Sequence, residues 1–190
     1  MTAPVERSEI LDFLTYADRR DAIRASAMAA KALRRVHLGE HLTLLFENRE
    51  TIRYQIQEMV RAEQMVRESD IAHELDTYNA VLGGEGELGC TLLIEIPEAD
   101  LRPTLLRQWR GLPGHLHMTF TDGTRVAAHF DGAQMSEEKL SSVQFLTFAV
   151  GHRVPAALLS DLPGLLAGAP LAPATQRALL EDLGSLPPRA

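Results

Sequence analysis

Eight side chains between residues 47 and 95 are of the types that carry acid–base or metal chemistry: Glu47, Tyr54, Glu58, Arg61, Glu63, Tyr78, Asn79 and Glu95. Carboxylates set beside tyrosine and arginine can take and return protons or hold a hard divalent metal. Surface and buried ion pairs use the same side chains. Glu63 stands apart from the rest. Stepping roughly 100° per residue along a helix puts Ile52, Ile56, Met59, Val60 and Val66 on one side, and Tyr54, Gln57, Glu58 and Arg61 on the other. Glu63 falls about 20° from Ile52, inside the apolar stripe. A carboxylate placed there must be paired, protonated or bound to something. On the polar side Tyr54, Glu58 and Arg61 form a stripe, with Glu58 and Arg61 close enough to pair.

A second constellation lies further along the chain. His115 and His117 are two apart on a strand-like run, so both project from one face, as metal ligands on a β-ribbon do. Asp122-Gly123 marks a hairpin. A two-residue turn sets Ala128 opposite His117, whereas a bulge brings His129 there. Nucleophile and phosphate-loop motifs are absent. Gly83-Gly84-Glu85-Gly86 follows a helix and precedes a strand, the wrong context for a nucleotide loop, and no nucleotide cofactor is expected.

The elements that must position these groups follow from capping and periodicity. A short helix is expected from Ser8, then an Ala-rich one from Asp18 to Arg35 that ends in the Arg34-Arg35 pair. That pair suits either a helix C-terminus or a clamp for an anion or carboxylate. Leu42 to Glu47 alternates as a strand. Asn48 then caps a helix running to about Ser69, with a second helix from about Asp70 to Leu82. Leu88 to Ile96 is apolar on both faces and should be a central strand. A helix from about Ala99 to Arg110, a hairpin over His115 to Phe130, a strand over Val143 to Val150 and a helix from about Ala172 to Leu183 complete the order. The sum is one α+β domain over 1–190, with a largely antiparallel sheet of about five strands backed by helices. Residues 1–7 and 186–190 are expected to be disordered, and 151–190 to form a variable helical tail.

Composition narrows the function classes. With 19 Lys and Arg against 26 Asp and Glu, the net charge of −7 speaks against a nucleic-acid groove. No apolar segment is long enough to cross a bilayer, and the N-terminus has no signal-peptide pattern, which places the protein in the cytoplasm. Cys90 is the only cysteine, so an intrachain disulfide, a zinc ribbon and a cysteine-ligated cluster from this chain alone are excluded. It should be a small buried side chain.

Several of the same residues carry a family pattern. The chain resembles a bacterial family, domain of unknown function 3501, over about residues 34–150. The pattern is in Arg34-Arg35-Val36-x-Leu38-Gly39, in Phe46-Glu47-x-Arg49-x-Thr51-x-x-Tyr54-Gln55-x-Gln57-Glu58-Met59-x-Arg61-x-Glu63, and in Glu74-Leu75-Asp76-x-Tyr78-Asn79. It continues in Ile94-Glu95 and in Lys139-x-Ser141-x-Val143-x-Phe145-Leu146-x-Phe148. What the resemblance implies is a supporting role in a redox or peroxide-handling system, beside a rubrerythrin-like protein and an iron–sulfur oxidoreductase. His115 and His117 are outside the pattern, and the family's Asp-His-Pro-x-Tyr element is missing after Gly151.

Two functional expectations result. The first is an accessory or binding protein acting through Glu47, Arg35, Tyr78, Asn79, Glu95 and Lys139, with those redox proteins as partners. The alternative is a small enzyme with Glu58, Glu63, Tyr54 and Arg61 as candidate catalytic groups. Its cofactor would be a divalent metal, with Glu47, Glu63, His115 and His117 as candidate ligands. A symmetric homodimer is compatible with either.

Overall fold

Strand β3 (Glu87–Ile94) has apolar residues on both faces, and both its edges are paired. It runs between β2 (Leu42–Phe46) and β7 (Val143–Ala149) in an antiparallel sheet of order β1-β2-β3-β7-β6. The outer strands of that sheet are β1 (Arg35–Leu38) and β6 (His129–Phe130). A second antiparallel sheet, of order β5-β4-β8-β9, holds β4 (Leu116–Phe120), β5 (Arg125–Ala127), β8 (Pro155–Ser160) and β9 (Ala167–Pro170). The computed structural model describes residues 3–132 and 139–184. The class is α+β, as the element order implies, but the strands divide between two sheets where one of about five was expected. Ala128 is the single residue between β5 and β6, so one extended segment crosses from the second sheet to the first.

Alternation places one face of each sheet inward. Leu42, Leu44 and Phe46, Leu88, Cys90 and Leu92, and Leu146 and Phe148 meet Leu116, Met118 and Leu158 in one core, into which Trp109 and Leu179 also pack. Cys90 is fully buried there, and burial holds its thiol well above the ordinary value. The opposite face of the five-stranded sheet is partly covered by α1 (Phe13–Ala32), α2 (Arg49–Ala62) and α3 (Glu68–Asn79). These close a smaller core of Val5, Ile10, Ile52, Ile56, Val60, Ile71 and Leu75. The short α4 (Arg102–Gln108), with Pro103 in its first turn, and α5 (Pro173–Asp182) complete the fold.

Several local expectations are corrected. The first long helix starts at Phe13, because the Asp12 side chain accepts from Leu14 and Thr15 N–H, and it ends before Arg34, which leaves Arg35 to open β1. The helix after Asn48 stops at Ala62. Glu63 is its C-cap, and Gln64 takes the left-handed conformation at φ 49. Residues 3–7, expected to be loose, are tied down: Val5 is buried, its N–H donates to Asn79 Oδ1 (2.8 Å) and its carbonyl accepts from Asn79 Nδ2 (3.0 Å). The tail is not helical throughout, because β8 and β9 build half of the second sheet before α5 begins. The stretch 186–190 lies outside the described residues. The hairpin loop has three residues, with Gly123 at φ 82 and its N–H donating to the Phe120 carbonyl. His117 therefore faces Ala127.

Candidate functional site

Antiparallel register lines up a row across the outer face of the five-stranded sheet. Arg35 pairs with Leu45, Leu45 with Thr91, and Thr91 with Phe145. A parallel row adds Leu93 beside Val143. Above these rows stand Lys31 in the last turn of α1, Ile52 and Gln55 of α2, and Tyr78 and Val81 at the end of α3. Sheet and helices enclose a cleft of about 310 Å³ with Glu47 on its floor. The α2 cap sets that floor. Asn48 accepts from the Thr51 N–H, and the Thr51 hydroxyl donates to Glu47 Oε2 (2.5 Å). The Thr91 hydroxyl donates to Glu47 Oε1 (2.8 Å), so both carboxylate oxygens are occupied.

The cations of the cleft are placed differently. Lys31 Nζ sits 5.2 Å above the Tyr54 ring. Burial pulls its ammonium below the ordinary value, opposed by the charge of Glu47 and reinforced by that of Arg35. Among the described residues neither Lys31 nor Arg35 has a carboxylate within ion-pair reach. The cleft thus combines two unpaired cations with an apolar wall, in which Phe145 is 37% and Val143 41% exposed. That composition suits binding.

Of the sequence-derived candidates, Arg35, Glu47 and Tyr78 share this cleft and the others do not. Glu58 faces α1 and is enclosed by donors: Tyr16 Oη at 2.6 Å, Arg20 Nε and Nη2 at 2.8 and 2.9 Å, and Arg61 at 3.5 Å. Burial alone would raise its carboxyl; the bonds from Arg20 and Tyr16 and the charges of Arg20 and Arg61 outweigh it and hold the carboxyl below 4.5. Tyr54 is buried beneath Lys31. Glu63 is exposed at the rim of an open crevice between α2 and α3, because the apolar stripe ends with the helix. Glu47 and Glu63 are separated by the length of α2, about 20 Å at 1.5 Å per residue, and so cannot share a metal. Glu95 accepts from the Thr43 hydroxyl (2.5 Å), which also lies 2.9 Å from His37 Nδ1. Although histidine, hydroxyl and carboxylate meet there, Thr43 is 2% exposed and closed to substrate. Lys139 is exposed on the approach to β7.

The Glu58 cluster carries a pH prediction. A carboxyl whose folded value is depressed contributes stability above its unfolded value, and loses it as pH falls through the folded value. The stability difference between wild type and Glu58→Gln, from urea unfolding at a series of pH values, should be constant above 4.5 and shrink below it. A constant difference down to the acid transition would show that the pairing does not act through the charge.

His115 was expected on a strand with His117 but closes the 3-10 turn Leu112–His115 just before β4; the two histidines are brought together by Asp161, which follows β8. His115 Nδ1 lies 2.7 Å from Asp161 Oδ1, and His117 Nε2 2.9 Å from Oδ2. The His115 hydrogen bond and the charges of both histidines hold the Asp161 carboxyl below its ordinary value. His129 pairs with Thr147 in the other sheet and does not join them. Among the described residues no group of three or more histidine, cysteine, aspartate or glutamate side chains is placed to hold a metal ion. No described helix is long and apolar enough to cross a membrane.

Sequence reasoning missed Lys31, Gln55 and the Leu93, Val143 and Phe145 wall as cleft residues. Two signals were available: Gln55, Val143 and Phe145 stand in the family pattern, and the chain has only two lysines, Lys31 and Lys139, among 19 basic residues. The wall residues come together only through the β2–β3–β7 register.

Comparison with known proteins agrees with the sequence pattern and extends it. No curated protein matches the chain. A crystal structure of a protein of unknown function from Burkholderia pseudomallei superposes with a TM-score of 0.85 at 29% identity, covering 97% of this chain and all of that one. The sequence matches the family described as protein of unknown function, DUF3501, over residues 4–183. The match thus extends well beyond the motifs between Arg34 and Val150, and the chain belongs to the DUF3501 family.

Proposed function

We propose that this protein is a cytoplasmic accessory binding protein of a redox or peroxide-handling system, holding a small ligand in the cleft between the five-stranded sheet and helices α1 to α3. One observation carries the binding half. Glu47 and Glu58 each accept on both oxygens from hydroxyl or guanidinium donors, while among the described residues Lys31 and Arg35 of the cleft have no carboxylate within ion-pair reach. A group already accepting two or more bonds is a poor general base, and a half-buried ammonium with no ion-pair partner, such as Lys31, is a ready partner for an incoming anion. The redox half, with rubrerythrin-like and iron–sulfur oxidoreductase partners, rests on the family resemblance. A metal-dependent enzyme would need several of Glu47, Glu58, Glu63 and Glu95 on one pocket, and they face different parts of the molecule.

Two measurements test this. Native mass spectrometry of protein purified under mild conditions should show a small mass increment on wild type that is absent from Val143→Trp, in which the indole fills the cleft. Bare mass for both removes the cleft assignment. Immobilised protein should retain a purified rubrerythrin-like or iron–sulfur partner, and failure to retain either removes the redox assignment.

A further inference from the structure

Among the described residues, most cations that are buried or half-buried meet a carboxylate. Arg7 pairs with Glu68, Arg20 and Arg61 with Glu58, Arg34 with Asp182, and Arg49 with Glu9. Lys31 is half-buried with no carboxylate of the described residues within ion-pair reach, and the exposed Arg35 beside it has none either, in a chain with seven more acids than basic residues. Glu47 lends Lys31 negative charge from the cleft floor, but its two oxygens are held by the Thr51 and Thr91 hydroxyls and not by a cation. The cations stand at one end of the cross-strand row and Phe145 at the other. Strands spaced about 4.8 Å apart put roughly 15 Å between the two ends. The surface between them is Leu45, Leu93 and Val143 with Thr91, whose hydroxyl is taken up by Glu47.

We propose that the cleft takes a small amphiphilic monoanion, a carboxylate with an aliphatic or aromatic tail, its head between Lys31 and Arg35 and its tail along Leu93 and Val143 toward Phe145. This rests on the cleft being a ligand site. Size and charge define the class. A cleft of about 310 Å³ lies at the small end of ligand sites, which suits a ligand of about ten non-hydrogen atoms. Glu47 on the floor repels a second negative charge, so a dianion such as a phosphate monoester is disfavoured. A carboxylate beside Lys31 supplies the charge that its burial lacks, and Arg35 offers the planar fork that matches a carboxylate.

Octanoate is the probe, with acetate and octylamine as controls. Calorimetric titration should show saturable binding of octanoate alone: acetate lacks the tail and octylamine carries the wrong charge. Arg35→Gln and Lys31→Met should each weaken octanoate at least about tenfold, with Arg35→Lys recovering part of the loss. Circular dichroism and unchanged urea midpoints establish that the variants fold. Because the chain has two lysines, amine labelling followed by peptide mass mapping gives an independent readout. Octanoate should protect Lys31 and leave Lys139 unaffected. Equal binding of octylamine, or unchanged labelling of Lys31 under saturating octanoate, overturns the proposal. If octanoate fails while Val143→Trp still removes the mass increment seen on wild type, the anionic class falls and the cleft assignment stands. If both fail, both fall.

Discussion

Arg34→Ala is expected to destabilise the protein by about 3–5 kcal/mol, the usual effect of removing one partner of a buried ion pair. The Arg34 guanidinium donates to both Asp182 oxygens at 2.7 and 2.8 Å, and to the Ala30 carbonyl at 3.0 Å. Side-chain exposure is 8% for Arg34 and 10% for Asp182, so water cannot take over for a missing partner. Asn48 Nδ2 also donates to Asp182 (3.2 Å), which ties the α2 cap to α5. Asp182→Ala should be as damaging, since it leaves the cation buried. Replacing both, with Arg34→Met and Asp182→Leu, should fall nearer to wild type than either single change, because no charge is then stranded. Urea unfolding of the four proteins decides it. The single variants should melt on the order of 10 °C lower, and single variants within 1 kcal/mol of wild type, taken as about the worth of an exposed pair, would show that the site is wet.

The second large effect is expected at Gly89. A Cβ built on this residue of β3 would lie 1.8 Å from the Val81 carbonyl oxygen and 2.9 Å from the Gly83 nitrogen, both backbone atoms of the turn that follows α3. Backbone cannot rotate away as a side chain end can. Gly89→Ala must therefore push that turn off the sheet, costing about 3 kcal/mol. The displacement reaches the cleft, because Tyr78 and Val81 form its wall on that side. The variant should lose stability and weaken octanoate together, whereas Arg35→Gln should weaken octanoate alone. A Gly89→Ala protein with a wild-type urea midpoint would show that the α3 turn adapts at little cost.

The legible parts of this fold are those set by neighbours in sequence. Asn48 announces the start of α2, and the unbroken apolar run from Leu88 announces a central strand, because capping and two-sided burial leave local marks. The end of α2 left none. Gln64 is not a residue type that signals left-handed backbone, so a helical projection runs on past Ala62 and sets Glu63 in the apolar stripe. Strands β8 and β9 escaped notice because Ala, Leu, Pro and Gly have low strand propensity, and only pairing with β4 makes them strands. Motif residues Arg35, Glu47 and Tyr78 were found and do converge. Lys31 lies outside the motifs, and Phe145, though inside one, joins the cleft only through a strand order the sequence does not state.

Strand β3 also has a history before the fold is complete. Its edge toward β7 waits for a partner that begins only at Val143. Until then the run Leu88-Gly-Cys-Thr-Leu-Leu-Ile, with no charge and no proline, presents an open hydrogen-bonding edge to any other chain in the same state. Segments of that kind join intermolecular cross-β stacks. Refolding yield should therefore fall steeply with protein concentration, and dilution or a chaperone that shields strand edges should govern how much native protein is recovered.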